Sequence, residues 1–593
     1  MSGMHSDNYE FARSSAPQSI KDYSAFTDKQ WNSKVDSNGG VYQAQNSMVE
    51  IDISSIYQSD GYTDVSDFYV VVPLTMVAVC HNSGTVTAAP TAGYSLCTLK
   101  NNYQNLIHSM ELVLNGKTIH DHQSFQNVYS NFKLLSSMSP SDLKSNNTNF
   151  EMSSDLDNNK SVRFRSSAAA GGVANLGPSG YGITNNQPFN TTPSYLQNVA
   201  QNSGKGNDAL AQRINRIVDT TANSTYNNLF GAGLVMTTDQ LNKELKPYYT
   251  VSANYMYWFD YAVINLKYML DAIAKIGLVK RADMRLRMYV NTGAVSVTLA
   301  GPNTTSTYYT AFTSTFSNTC PFTVNLLYGA SVDGGFAVNT NTITAGIYIS
   351  KPPSTFNGGG ANTLAPTQLQ NPMTSCALYY STVKLDLQSE SEYINANRAK
   401  KIVYEKVYYA NSMTIGVGNQ IDKTISNSIK NPIALVIIPF VSKAGSGGAI
   451  TAGTPLAFAQ YESPWDTAPS TSAPLSITGL FVSLGGKKVA NDVLNYTYEN
   501  FLEQVSLAET IGASDIGLNV GLVNQDWWES NRIYYIDLAS SRDIDKDTPR
   551  ELIVKGTNNS NVPIDCLFFC VYLDEFTIDV VTGVVSQDVK AII

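Results

Sequence analysis

Runs rich in Val, Ile, Tyr and Thr recur along most of the chain and are typical of β-strands. The longest uncharged apolar run is Phe68–Cys80, and Met284–Val290 alternates apolar and polar positions as a half-buried strand does. Two further strand-like runs, Cys376–Leu387 and Cys566–Val581, end the two halves of the chain. The pattern therefore predicts an all-β protein with a few short helices.

A tight turn and a short helix occur together at two places. Asn115-Gly116 supplies the positive φ angles that a two-residue hairpin turn needs, and Gly485-Gly486 does so again later. Each turn precedes a segment whose apolar residues share one helical face. These residues are Phe125, Val128, Tyr129, Phe132 and Leu135 in the first segment, and Leu494, Tyr498, Phe501, Leu502 and Val505 in the second.

Four short motifs recur in the same order, with offsets that run only from 411 − 46 = 365 to 486 − 116 = 370. They are Asn46-Ser47-Met48 with Asn411-Ser412-Met413, Val70–Pro73 with Val436–Pro439, Gly116-Lys117 with Gly486-Lys487, and Tyr129–Phe132 with Tyr498–Phe501. Each match alone is weak, but collinear recurrence at nearly constant spacing indicates that one domain has been duplicated.

The two repeats differ in length, because the offset falls to 566 − 376 = 190 at their last strands. The first repeat thus holds about 180 extra residues, in Ser-, Asn-, Thr- and Gly-rich stretches at about 137–250 and 301–375, which we expect to project as loops. Without them, each repeat has the size of an eight-stranded antiparallel sandwich. We expect a polar, extended N-terminal arm over 1–45, a first sandwich over 46–396 and a second over 397–593.

Composition narrows the classes of protein that fit this pattern. Charged residues make up 15% of the chain, where about 25% is usual, and Tyr is frequent at 35 residues. Such a surface suits a protein that packs against copies of itself. The net charge of −9 gives no basic bias toward nucleic acid, so we expect no specific nucleic-acid binding.

Cellular location follows from what the apolar segments can do. The N-terminus has no apolar signal region, and Phe68–Cys80 is shorter than the roughly 20 residues of a membrane span, so we expect cytosolic synthesis and no transmembrane segment. Cys376, Cys566 and Cys570 lie in strand-like runs, and we expect them to be reduced and buried.

One motif imitates a phosphate-binding loop. Gly116-Lys117-Thr118 resembles the end of such a loop, but Glu111 stands where the loop needs a glycine, and its carboxylate would repel phosphate. Gly486-Lys487 fails in the same way, because Phe481 occupies that position. We interpret both motifs as hairpin turns and expect no cofactor.

Two motifs imitate metal sites. His120-Asp121-His122 offers two imidazoles, but no third ligand is nearby, so we predict a polar turn. Asp543–Asp547 imitates the start of a calcium loop, yet Thr548 and Val554 occupy the positions of its Gly and its Glu. A solvated acidic loop is the favoured interpretation, and we expect no metal ligands.

Little in the sequence indicates a catalytic site. No His follows His122, so the second repeat has no Ser-His-Asp or Cys-His site of its own, and nothing singles out a pair of carboxylates. We expect no catalytic residues.

Trp465 and Trp527-Trp528 could stack on a sugar, but a core or interface role is favoured. Lys280-Arg281 and Arg398–Lys401 could face a genome, but a solvated face or inter-subunit ion pairs are favoured.

Longer stretches resemble the major capsid proteins of polinton-like viruses and virophages. The resemblance is carried by SMELVLNGKTI, LVKRADMRLRMYVNTG, NRAKKIVYEKVYYANS, SPWDTAPSTSAPLSITGLFVSLGGKKV with YTYENFLEQV, and GLVNQDWWESNRIYYIDLASSR. It spans residue 46 to the C-terminus, without the insertions. It implies two tandem eight-stranded antiparallel jelly rolls, homotrimers with a pseudo-hexagonal outline, and an icosahedral shell around double-stranded DNA. The implied partners are the chain itself, a penton protein, and minor or cement proteins of the virion.

Two other functions remain open. A lectin-like binding protein would show sugar affinity and would usually be secreted. A peptide:N-glycanase-like enzyme on a double jelly-roll scaffold would need a convergent acidic cleft.

Overall fold

The computed structural model describes most of the duplicated region. The residues described are 26–54, 61–82, 85–88, 95–99, 103–139, 141–142, 164–166, 186–188, 250–252, 255–300, 308–316, 319–326, 341–353, 356, 369–442, 475–493, 496–507, 520–525, 528, 532–539, 548–560 and 563–586. No helix among them has the length and apolar character needed to cross a bilayer.

The first half of the described chain is built mainly from strands. These are β1 (Phe26–Val35), β2 (Ser47–Asp52), β3 (Tyr62–Asn82), β4 (Thr85–Ala88), β5 (Ser95–Leu99), β6 (Ile107–Leu114), β7 (Lys117–His120), β8 (Phe164–Ser166), β9 (Asn186–Pro188), β10 (Thr250–Ser252), β11 (Tyr255–Asn265), β12 (Leu278–Val279), β13 (Met284–Val290), β14 (Gly293–Ala300), β15 (Tyr308–Ser314), β16 (Phe322–Leu326), β17 (Asn341–Ile349) and β18 (Ala377–Leu385). The helices are α1 (Gln126–Ser137), α2 (Asp271–Ile276) and α3 (Leu387–Asn397), with short 3₁₀ turns η1 (Tyr103–Leu106) and η2 (Leu266–Tyr268).

The second half repeats this plan with fewer elements. They are β19 (Ala399–Ile415), β20 (Gln420–Ser426), β21 (Pro432–Val441), β22 (Ile477–Leu484), β23 (Lys487–Val493), α4 (Tyr498–Leu507), β24 (Tyr534–Asp537), β25 (Leu552–Asn558), β26 (Ile564–Asp579) and β27 (Val585–Ser586).

Eight strands in each half form two antiparallel sheets with the same strand order. In the first half these sheets are β1-β18-β3-β11 and β2-β13-β6-β7, and in the second they are β19-β26-β21-β24 and β20-β25-β22-β23. Counted within each half, the orders are 1-8-3-6 and 2-7-4-5, which is the arrangement of a jelly roll. The prediction of two tandem eight-stranded jelly rolls with short helices is confirmed.

The hairpins and helices that revealed the repeat occupy equivalent positions in the two jelly rolls. Asn115-Gly116 joins β6 to β7 and Gly485-Gly486 joins β22 to β23, and all four residues have positive φ, from 47° to 78°. The helices α1 and α4 follow these hairpins, so Phe132 and Phe501 have matching positions in the two units. Because both turns need left-handed backbone, Gly and Asn were a reliable sequence signal here.

Two expectations are wrong at the start of the first unit. Phe26–Val35 is a strand paired with β18, so the predicted arm of 1–45 contains the first strand of the first jelly roll, which begins before residue 46. Asn46–Met48 opens β2, whereas Asn411–Met413 lies near the end of β19, so these two motifs are not equivalent. The strand β1 is an edge strand held by backbone pairing, and most of its described side chains are exposed, so no apolar alternation marks it.

The insertions are only partly loops. The stretch 301–375 contains β17, which pairs with β3 and β14 in the large sheet and buries Ala345 and Ile347, so the expectation of a projecting loop is wrong there. Most of 137–250, including the helical patch near Leu210–Val218, lies outside the described residues, and the expectation for it stays a prediction.

Candidate functional site: the contact between the two jelly rolls

The helix α1 belongs to the first jelly roll by sequence but packs into the core of the second. Val128 and Phe132 are fully buried in that second core. The Tyr129 ring lies 5.8 Å from that of Phe569, and the Phe132 ring lies 6.4 Å from that of Tyr535. The predicted apolar face of this helix is therefore buried against the other unit.

The second jelly roll contacts the first in return. The strands β19 and β26 extend together as a long antiparallel ribbon, and its Ile402, Tyr404, Phe576 and Ile578 are buried in the first core. The Tyr404 hydroxyl donates a hydrogen bond of 2.8 Å to the carbonyl oxygen of Ile119 at the end of β7. Each unit thus completes part of the other's core.

Backbone hydrogen bonds also cross between the units. The amide of Leu522 donates to the carbonyl oxygen of Leu135 at 2.8 Å, and the amide of Lys280 donates to that of Val580 at 2.8 Å. The Asn115 side-chain amide donates to the carbonyl oxygen of Gly583. These bonds fix the relative position of the two units, because backbone groups cannot shift without losing their partners.

A cluster of partly buried charged groups lies beside α1. Lys133 Nζ lies 2.6 Å from Glu405 Oε2, and the Glu405 amide donates to Asp271 Oδ2 at 2.9 Å. Lys275 pairs with Asp271 at 2.7 Å. Burial disfavours the charged form of Lys133, but the carboxylates of Glu405 and Asp271 outweigh it, so the pKa of Lys133 is raised. The cluster ties α1 to α2 and β19.

A second ion cluster lies at the end of β7. Lys406 is buried, and its Nζ lies 3.2 Å from Asp121 Oδ2 and 3.4 Å from Asp574 Oδ2. Burial opposes the charge, but the surrounding Tyr572, Asp121 and Asp574 raise the pKa of Lys406. The cluster therefore holds a charged lysine between the units. Besides the apolar face of α1, the charged positions within the apolar run Ile402–Tyr409 were a sequence signal of this contact.

Breaking the partly buried pair of Lys133 and Glu405 should lower stability more than breaking an exposed pair. We expect Glu405→Gln to lower the free energy of unfolding by about 2 kcal/mol, because it leaves the partly buried Lys133 charge without its main partner. Chemical denaturation of the recombinant protein measures this. Glu575→Gln is the matched control on the same ribbon; it removes the exposed pair with Lys401 and should cost less than about 1 kcal/mol. Equal losses in both variants would contradict the partly buried position of Glu405.

His122 of the predicted polar turn lies beside His108 of β6. His108 and His122 have ring centroids 6.0 Å apart, and no group of three His, Cys, Asp or Glu suited to a metal ion occurs in the part of the chain that is described. His120 is buried, and its Nε2 has no hydrogen-bond partner among the described residues. Burial and then the nearby Lys406 lower the pKa of His120 to about 4. The turn is thus an interface element rather than an open polar loop.

The other motifs have structural surroundings. Lys117 and Thr118 are exposed and begin β7, and Lys487 is exposed at the start of β23, so a strand and not a helix follows each turn. Trp528 is buried, and its Nε1 donates to the carbonyl oxygen of Ile533 at 2.8 Å, which makes it a core residue. Lys280 pairs with Glu390 at 2.8 Å.

Several candidates cannot be placed. Asp543–Asp547, Trp465 and Trp527 lie outside the described residues.

Cys376, Cys566 and Cys570 are buried free thiols, as expected, and burial raises the pKa of Cys570 to about 12. Such thiols are inert at neutral pH because the thiolate is the reactive form.

Two interlocked jelly rolls in one chain define a double jelly-roll protein. No protein-family model matches the sequence, and no curated protein shows significant similarity to it. Solved structures similar to this chain include one from the Sputnik virophage, with 12% identity, 96% of this chain and 90% of the other covered, and a TM-score of 0.47. The mavirus major capsid protein has 9% identity, coverage of 94% and 90%, and a TM-score of 0.41. The Faustovirus major capsid protein has 10% identity, coverage of 92% and 90%, and a TM-score of 0.36.

Proposed function

We propose that this chain is a major capsid protein, a structural protein of a virion and not an enzyme. The observation that carries the proposal is the duplication itself: two jelly rolls of identical strand order, locked together by α1 and the β19–β26 ribbon. The sequence resemblance to polinton-like virus and virophage capsid proteins supports the same function.

A homotrimer would turn this duplication into a building block for a shell. Three chains with two similar units each would place six jelly rolls around one axis, and this outline fills a nearly hexagonal lattice. The five-fold vertices of an icosahedral shell would then need a separate penton protein. Minor or cement proteins would join neighbouring capsomers. The net charge of −9 and the low content of charged residues fit protein–protein contacts better than tight binding to the enclosed double-stranded DNA.

Mass and electron microscopy test the proposal. We expect purified recombinant protein to have three times the chain mass by light scattering, and to form hexagonal arrays or closed shells at high concentration. A monomer that does not associate at any concentration would contradict the proposal. Turnover of a glycopeptide would favour the enzyme alternative, and specific sugar binding by a monomer would favour the lectin-like alternative.

A further inference from the structure

The imidazoles of His108 and His122 lie side by side, although the two residues belong to different segments of the first jelly roll. Their ring centroids are 6.0 Å apart. The sequence offered a different pair, His120 and His122. In the β6–β7 ladder, however, His120 stands opposite the buried core residue Leu112, so its side chain lies on the inner side of the sheet. The structure thus pairs His122 with a histidine of the neighbouring strand.

A β-bulge in β6 places His108 beside this second imidazole. The pairing of β13 with β6 shifts its register between Tyr289 and Val290, and His108 is the extra residue of β6 at that point. Such a bulge changes the direction of a side chain and is common at functional sites. The ring of His122 packs edge-on against that of Tyr289, with the centroids 4.7 Å apart. The strand irregularity and this ring contact together hold the two imidazoles at one place.

Neighbouring polar groups prepare the pair to bind an ion. His108 Nδ1 lies 3.0 Å from the Ser109 hydroxyl, and when Nδ1 donates to this oxygen, Nε2 carries the lone pair that binds a metal. The segment that carries His122 is fixed to β6, because the Met110 amide donates to Gln126 Oε1 at 2.9 Å. Burial, and then His122, lower the pKa of His108 to about 4, so His108 is a neutral ligand at pH 7.

We propose that His108 and His122 together bind a divalent transition-metal ion of the kind that imidazole nitrogen suits, such as Zn²⁺. Two imidazoles on one tetrahedral ion have ring centroids about 5 Å apart, because each coordinating nitrogen lies about 2 Å from the metal. A rotation of the exposed His122 side chain supplies the difference from 6.0 Å. No third His, Cys, Asp or Glu joins the pair within the described ranges, so water fills the other positions.

The ion ties the segment that follows β7 to β6, next to the contact between the two jelly rolls. The same segment carries Asp121, which pairs with Lys406, and Gln123, whose Oε1 accepts a hydrogen bond from the amide of Tyr409. Metal bound to the folded chain therefore stabilises this contact by mass action. Both ligands belong to one chain, so the site does not depend on the proposed capsomer.

Calorimetric titration of the metal-stripped protein with zinc chloride tests the site. We expect His122→Asn to weaken Zn²⁺ binding by more than about 10-fold, because it removes a direct ligand and even the loss of an outer partner has an effect of that size. His122 is exposed, so the variant should keep its fold. His122→Cys should retain binding, since a thiolate is also a zinc ligand. Equal affinity in the wild type and in His122→Asn would overturn the proposal.

His120→Gln is the matched control for the identity of the pair. It removes the histidine that neighbours His122 in the sequence, and it should leave the Zn²⁺ affinity unchanged. His108→Gln should weaken binding as much as His122→Asn does, with circular dichroism as the check that each variant is folded. Loss of binding in His120→Gln together with normal binding in His108→Gln would mean that the pair adjacent in sequence holds the ion, and this result would overturn the proposal.

Hydrogen exchange shows where the ion acts. Zn²⁺ should slow amide exchange in β6 and at the start of α1 in the wild type, and should have no such effect in His122→Asn. Slowing that is confined to other parts of the chain would mean that the ion binds elsewhere, which would overturn the proposal. Shells that assemble normally from a protein without this Zn²⁺ effect would leave the capsid function intact and overturn the metal site alone.

Discussion

Truncating Phe132 to alanine is expected to lower the free energy of unfolding by about 3–5 kcal/mol, because it leaves a cavity in a fully buried site. This loss of stability should affect a part of the fold that is far from Phe132 in the sequence. Phe132 lies in the first half of the sequence, but its ring packs beside Tyr535 in the core of the second jelly roll. We therefore expect hydrogen exchange to increase in β24 and β26, about 400 residues further along the chain.

The matched control is Phe481→Ala, in β22 of the second jelly roll. Phe481 is only partly buried, and Lys488 Nζ lies 5.7 Å from its ring, so its removal should cost much less, about 1 kcal/mol. If Phe132→Ala raised exchange only in strands of the first jelly roll, α1 would not be part of the second core.

Acid should destabilise the protein through two buried histidines. Burial, and then the neighbouring His122, lower the pKa of His108 to about 4. His120 has a pKa of about 4 and faces Lys406 of β19, Asp121 and His122 of its own segment, and Gln126 of α1. In the unfolded chain both imidazoles titrate near 6.5. Because the folded pKa is the lower one, their contribution to stability is complete above pH 6.5 and is lost as the pH falls toward 4.

Each of these two imidazoles should cost about 2 kcal/mol of stability by pH 5. The interval between pH 6.5 and 5 is the informative one, because most carboxylates titrate below it. Denaturant unfolding at a series of pH values measures the slope. His120→Gln should remove about half of the loss, and its stability at pH 8 serves as the reference. An unchanged slope in His120→Gln would mean that His120 does not charge on unfolding in this interval.

Much of the fold could be predicted from local patterns. Strand runs such as Phe68–Cys80, the glycine turns at Gly116 and Gly486, and the apolar face of α1 all reflect short-range physics: side-chain alternation, positive φ and helical spacing. Their recurrence revealed the duplication, because two units with the same strand order carry the same signals at the same intervals.

The same local patterns did not predict elements that are held mainly by partners distant in the sequence. The strand β1 pairs by its backbone with β18, more than 300 residues away, and needs no apolar residues of its own to do so. The strand β17 lies in a Thr- and Asn-rich stretch that resembles a loop, but its place between β3 and β14 makes it part of the sheet. The motifs Asn411–Met413 and Asn46–Met48 have the same sequence but lie in strands that are not equivalent. Three residues are too few to identify the strand to which they belong.

The sequence by itself determined the fold class, the duplication, the two hairpins and the short helices that follow them, because these depend on neighbours in the chain. Only the tertiary structure decided that α1 completes the core of the other jelly roll, and that Lys133, Glu405 and Lys406 lie at the contact between the units. The physical reason is that an apolar helical face must be buried but does not specify its partner. The partner is chosen by the packing of strands far apart in the sequence.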